Sequence, residues 1–195
     1  ATTERDELLT RAVPLAPLES TAMPRAFITG ITGQDGFHLA QFLHDKGYDV
    51  YGMVKGQNNP RAAKLQEELP FLELVPGDLA DLPSLVAALQ IAQPDEVYNL
   101  GAQSHVRVSF DQPEYTADVT GMGVLRLLEA IRSHMRHNNT DIRFYQAGSS
   151  EMFGSAKPLQ LETTRFEPRS PYACAKVFAH YQVVNHRESY GPFAC

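Results

Sequence analysis

The sequence predicts an α/β fold: a doubly wound parallel sheet with helices on both faces. Three observations predict it. Five short, apolar, β-rich runs recur along the 195 residues, helix-like stretches separate them, and the first run ends in a glycine-rich turn. Strands that alternate with helices give βαβ units, because parallel neighbours need a crossover connection.

The first strand is Arg25–Gly30 (RAFITG). A helix over Gly36–Lys46 follows, with Phe37, Ala40, Gln41, Leu43 and His44 at helical spacing and Gly47 closing it. Asp49–Val54 is the second strand, and Gly56–Pro60 (GQNNP) is the clearest turn cluster. The third strand is Phe71–Pro76. It leads to a helix over Asp81–Gln90, capped by Asp81 and carrying Leu82, Leu85, Val86 and Leu89. Glu96–Leu100 is the fourth strand. A long helix over Asp118–Met135 presents Val119, Met122, Val124, Leu125, Leu128 and Ile131. His134 and His137 fall at its end, where a cation suits the helix dipole. Ile142–Ala147 is the fifth strand, Tyr172–Tyr190 the last helix, and Phe193-Ala194-Cys195 reads as the start of a sixth strand. Residues 1–23 hold Pro14 and Pro17 and have no basic stretch before an apolar one. They read as a flexible leader, not a signal peptide. Residues 24–195 read as one dinucleotide-binding domain, cut at the start of its sixth strand.

Composition excludes several classes. Seventeen basic against 23 acidic residues give a net charge of −6, which argues against nucleic acid as the main partner. No apolar run approaches the length of a membrane span. The two cysteines, Cys174 and Cys195, form no metal or disulfide pattern, so the expected compartment is the reducing cytoplasm and no metal site is expected.

Gly30-Ile31-Thr32-Gly33-Gln34-Asp35-Gly36 joins the first strand to a helix. A dinucleotide site needs glycines in this context: one for the tight turn, one for approach of the backbone to the pyrophosphate, one for packing helix on strand. The helix N-terminus then offers N–H groups to the phosphates. NAD sites commonly carry an acid at the end of the second strand, but Lys55 stands there, with Arg61 beyond, and Asp49 lies too early to serve. This favours NADP over NAD.

Tyr172 and Lys176 form a YxxxK pair, which a helix places on one face. A neighbouring ammonium favours phenolate and so makes a general base. Ser149 and Glu151 follow the fifth strand, where open α/β sheets bind ligands. Apolar neighbours Met152 and Phe153 suggest partial burial and a raised pKa for Glu151. His105 reads as a satisfied polar side chain and Cys174 as a small packed apolar one.

These segments resemble the extended short-chain dehydrogenase/reductases, whose cofactor domain is Rossmann-like. GITGQDG (30–36), YNLGAQSHV (98–106), SFDQPEYTADV (109–119), FYQAGSSEMFG (144–154) and PRSPYACAK (168–176) are similar to the GDP-mannose 4,6-dehydratase family. The resemblance implies a redox-neutral conversion of GDP-mannose to GDP-4-keto-6-deoxymannose plus water, by a cytoplasmic homo-oligomer, dimer or tetramer. It implies cofactor contacts at Gly30, Ile31, Thr32, Gly33, Gln34, Asp35, Gly36, Lys55, Asp78, Leu79, Leu100, Gly101, Ala102, Gln103, Ser104, Tyr115, Tyr172 and Lys176. Asp78 would face the adenine. Ser149, Glu151, Tyr172 and Lys176 would be catalytic, with Ser149 where the family has Thr. The loop VKGQNNPR is shorter than the family's Arg/Ser loop. The C-terminal substrate domain is expected to lie outside this chain. Two other readings stand beside this one: another extended short-chain epimerase or reductase, and a truncated non-catalytic NADP-binding module.

Overall fold

The structure is a computed structural model that describes residues 23–56 and 59–195. The flexible leader expected over residues 1–23 lies outside the described residues except for Met23. Five strands form one parallel sheet: β1 (Arg25–Thr29), β2 (Asp49–Val54), β3 (Glu73–Pro76), β4 (Glu96–Asn99) and β5 (Arg143–Gln146), in the order β3-β2-β1-β4-β5. The register pairs Phe27 with Tyr51 on one side and with Val97 on the other. Where a sixth strand was expected, the chain makes an isolated parallel bridge beside β5. Phe144 N–H donates to the Phe193 carbonyl at 3.0 Å, Gln146 N–H to the Cys195 carbonyl at 2.7 Å, and Phe144 bridges Ala194 in parallel.

The seven α-helices of the described residues are α1 (Gln34–Asp45), α2 (Pro60–Glu68), α3 (Leu82–Ala92), α4 (Val106–Asp111), α5 (Pro113–Thr116), α6 (Gly123–Asn138) and α7 (Pro171–Tyr190). Alternate strand residues point to opposite faces and divide the core in two. Ala26, Ile28, Val50 and Val54 pack with Ala40 and Leu43 of α1 and Leu65 of α2. Phe27, Val75, Val97 and Phe144 pack with α3, α6 and α7 through Leu85, Leu89, Leu127, Ile131 and Val183. Helices therefore cover both faces. Among the described residues no helix is long and apolar enough to cross a membrane.

Three local expectations need correction. Gln57 and Asn58 of the GQNNP cluster lie outside the described residues, and its last two residues start a helix: Asn59 caps it, accepting the Arg61 N–H at 3.0 Å with Pro60 in the first turn, and α2 follows. Its weak apolar periodicity hid it. The long helix expected from Asp118 opens instead as a π segment over Ala117–Met122 before α6. His134 does not cap the helix end. It is buried one turn earlier, and burial lowers its pKa, while His137 does lie in the last turn. The Asp81 cap is as expected: its carboxylate accepts the Ser84 N–H at 3.2 Å.

The core division sets a stability contrast. Phe27 is fully buried and Phe42 is 56% exposed on α1. Phe27→Ala is expected to cost about 3–5 kcal/mol in urea denaturation, against well under about 1 kcal/mol for Phe42→Ala.

Candidate active site at the C-terminal edge of the sheet

The strand order reverses between β1 and β4, and their connections run to opposite faces. A crevice opens there at the carboxyl ends of the strands. A cavity of about 410 Å³ occupies it. Of the residues expected at a cofactor site, Gly30, Thr32, Lys55, Asp78, Leu79, Gly101, Ala102, Gln103, Ser104 and Tyr115 line this cavity. Met53, Asn59, His105 and Val119 join them without having been expected.

The glycine turn fits a dinucleotide. Gly30 has φ +72°, and a Cβ there would sit 2.7 Å from the Gly101 nitrogen, so the turn can touch the end of β4 only without a side chain. A Cβ on Gly36 would stand 2.5 Å from the Gly30 carbonyl oxygen, which is what seats α1 against the turn. Gly33 is the N-cap of α1, no side chain caps that helix, and the space before Gly33 is open but for one oxygen at 3.2 Å. Backbone N–H groups at a helix start facing open space suit a pyrophosphate. Ile31 is different: its side chain is fully buried against Gly52, so only its backbone can serve a ligand. Gln34 and Asp35 are exposed at the start of α1, and Leu100 is half-buried. None of these three lines the cavity.

Lys55 does not stand free for a phosphate. It pairs with Asp78 at 2.8 Å across the ends of β2 and β3 and lies 5.7 Å from the Tyr115 ring centre. The Asp78 contact holds the Lys55 ammonium above its ordinary range. Partial burial opposes ionisation of Asp78, but the Ala80 N–H and Lys55 outweigh it, so its carboxyl sits below the usual range. Arg61 is exposed on α2. The side chain of Gln103 is engaged within its own loop, accepting the His105 N–H at 2.7 Å and donating to Thr116 Oγ1 at 3.1 Å. His105 caps α4, its Nδ1 accepting the Val108 N–H at 3.4 Å, so it is satisfied as expected. Arg126 ties the π segment to the turn after β3, donating to the Leu79 and Asp118 carbonyls.

The second half of the site lies where β5 ends. Ser170 caps α7 by accepting the Ala173 N–H at 3.1 Å. This places Tyr172 and Lys176 one turn apart, both buried, with the lysine nitrogen 5.9 Å from the phenol ring centre. Lys176 Nζ donates to the Ala147 carbonyl at 2.8 Å, which ties α7 to the end of β5. Burial lowers the Lys176 pKa to about 8. Ser149 caps a 3-10 turn (Ser150–Met152) that packs against α7, and its Oγ accepts the Glu151 N–H at 3.2 Å. Two expectations fail here. Glu151 is exposed rather than partly buried, because Met152 alone turns into the core. Cys174 is exposed on α7 rather than packed, because Tyr172, Ala173, Ala175 and Lys176 take the inward positions.

Thr29, Asn99, Gln146 and Arg126 escaped sequence reasoning. Thr29 and Asn99 are polar residues closing apolar strands, which was the available signal.

Fold and site together define a Rossmann-type domain of the short-chain dehydrogenase/reductase class. The chain belongs to the GDP-mannose 4,6-dehydratase family, whose model matches residues 27–195. It is 53% identical over 178 residues to GDP-mannose 4,6 dehydratase 1 of Arabidopsis thaliana, covering 87% of this chain and 49% of that one. It is 47% identical to the human GDP-mannose 4,6 dehydratase, covering 87% of this chain and 47% of that one. The chain thus spans about half the length of the curated relatives it matches. Among solved structures, UDP-glucose 4-epimerase of Thermus thermophilus, in complex with NAD, superposes with a TM-score of 0.73. It is 26% identical over 86% of this chain and 52% of that one.

The buried lysine makes a pH prediction. Folding moves the Lys176 pKa from 10.5 to about 8, so between those values the unfolded chain binds more protons and stability rises with pH. The stability of the parent relative to Lys176→Met should therefore climb from pH 8 to pH 10.5 by at most about 1.4 kcal/mol per unit. Urea denaturation across that range checks it, and a flat difference would contradict a buried amine.

Proposed function

We propose that this chain carries the cofactor-binding and oxidation chemistry of an enzyme that converts GDP-mannose to GDP-4-keto-6-deoxymannose and water. One observation carries the reading: Tyr172 and Lys176 lie buried on one face of α7, at the end of β5, beside the turn that holds Glu151. The family membership supports it.

The residues lining the cavity between β1 and β4 would hold the adenosine half of the cofactor, and the backbone N–H groups at the start of α1 its pyrophosphate. Bound NADP supplies hydride acceptance at sugar C4 and hydride return at C6, so none is consumed. Tyr172 takes the proton of the C4 hydroxyl, and the Lys176 ammonium, 5.9 Å from the phenol ring centre, holds the nicotinamide ribose. The resulting ketone acidifies C5. Glu151 removes the C5 proton and then protonates the hydroxyl leaving C6, and the proton taken by Tyr172 returns to C5 as the C5–C6 double bond is reduced. Its exposure suits this work, since a carboxylate open to the substrate can act as base and then as acid. Ser149 orients the sugar O4: its oxygen accepts the Glu151 N–H and its own proton remains to donate.

NADP is favoured over NAD because a cation, Lys55, ends β2 where an acid would bind a 2′-hydroxyl, and a 2′-phosphate would compete with Asp78 for it. The enzyme works in the cytoplasm as a homo-oligomer, dimer or tetramer. Phe178 and Tyr181, exposed on α7, and Phe110 on α4 support a shared face, and light scattering measures the state.

Incubation of the full-length protein with GDP-mannose and catalytic NADP should give a product lighter by one water, with no net NADPH. Glu151→Gln should lower turnover by about a hundredfold or more while leaving cofactor affinity unchanged. An epimerase or reductase would yield no water loss and would tolerate Glu151→Gln. Lys55→Met should weaken NADP about tenfold in calorimetry and NAD much less.

A further inference from the structure

The polar side chains buried along the carboxyl edge of the sheet form one hydrogen-bonded series. Gly101 N–H donates to Thr29 Oγ1 at 3.0 Å, and the Thr29 hydroxyl donates to Asn99 Oδ1. Asn99 Nδ2 donates to Gln146 Oε1 at 2.7 Å, and Gln146 Nε2 donates to the Ala147 carbonyl at 2.9 Å. That same carbonyl accepts Lys176 Nζ at 2.8 Å. The series crosses from the end of β1 through β4 and β5 to α7. It joins a loop lining the cavity to the buried lysine.

The series runs in one direction. The Gly101 N–H can only donate and takes one lone pair of the Thr29 oxygen, and the Thr29 hydroxyl proton points onward to Asn99 Oδ1. Asn99 receives that proton on Oδ1 and has only its NH2 to offer Gln146. Gln146 receives it on Oε1 and turns its NH2 toward Ala147. Thr29 and Asn99 are fully buried, so water cannot substitute for a missing link. At the far end the Lys176 ammonium has no ion pair among the described residues and rests on a single neutral oxygen.

We propose that Gln146 is a positioning residue for Lys176: its amide, held in one orientation by Thr29 and Asn99, fixes the Ala147 carbonyl that seats the lysine head and keeps an acceptor oxygen away from the ammonium. The proposal rests on the reading of Tyr172 and Lys176 as the catalytic tyrosine–lysine pair for its functional meaning, though not for its geometry. Gln146 Nε2 and Lys176 Nζ touch one oxygen, which places them within the roughly 4–6 Å over which one group moves another's titration. The donor that Gln146 presents disfavours the ammonium. An acceptor in its place would favour it.

The test is a titration of Lys176 by NMR on the purified chain carrying 13Cε-labelled lysine, with Lys176→Met assigning the resonance. Gln146→Glu substitutes a carboxylate for the donor and should raise the Lys176 midpoint by about one pH unit or more. Thr29→Val adds no charge but releases the Asn99 and Gln146 amides to turn over. It should raise the midpoint by about 0.3 unit or more, while Thr29→Ser, which keeps the hydroxyl, stays at the parent value. If Gln146→Glu fails to fold, the Thr29 pair still decides. A midpoint in Thr29→Val equal to that in Thr29→Ser would overturn the proposal, as would an unmoved midpoint in folded Gln146→Glu. No cofactor or substrate enters the measurement. Failure of the dehydratase reading would therefore appear in the turnover assay and not here.

Discussion

The site depends on how closely the ends of β1 and β4 approach each other. Gly30, without a Cβ and with positive φ, lets its turn touch Leu100 and Gly101. The Gly101 N–H and the Asn99 carboxamide then close on Thr29. With that contact made, the two chains part to opposite faces and the crevice between them follows from topology. A larger residue at 30 would spread the ends of both strands. It would also move every group that the hydrogen-bonded series aligns as far as Lys176.

Around that contact the site divides into two halves with different physics. The β1–β3 half is polar and partly solvated: Lys55 and Asp78 pair at its mouth, where water screens them. The β5 half is dry. Tyr172 and Lys176 are buried, and the ammonium is held by a carbonyl rather than a carboxylate. Desolvation acts on the lysine unopposed there, which is why its proton is held less firmly than usual. Glu151 at the rim stays in contact with solvent. One edge of one sheet thus brings together a glycine turn before a helix start, a buried tyrosine–lysine pair and an open carboxylate.

Much of this was legible in the chain itself. The short apolar, β-rich runs marked all five strands, and Asp81 and Gly47 bounded their helices as expected. GxxGxxG and YxxxK carried their own geometry, because a glycine spacing or a four-residue step on a helix needs no tertiary information. Helix α2 was hidden, since Leu65 is its only buried side chain. The π segment was hidden because an extra residue in a turn leaves the apolar pattern nearly intact. Glu151 and Cys174 were misplaced because local composition does not say which way a turn or a helix face points. The Thr29–Asn99–Gln146 series was out of reach, since residues 29, 99 and 146 meet only through the sheet register.

The most direct test is an NMR titration of the uniformly 15N-labelled chain with NADP. A cofactor seated at this sheet edge predicts shifts concentrated at the amides of Gly33–Gly36, Asp78–Leu79 and Gly101–Ser104, with saturation. Shifts confined to the separate cavity of about 320 Å³ between α6 and α7, near Met135 and Tyr190, or no shifts at all, would contradict it.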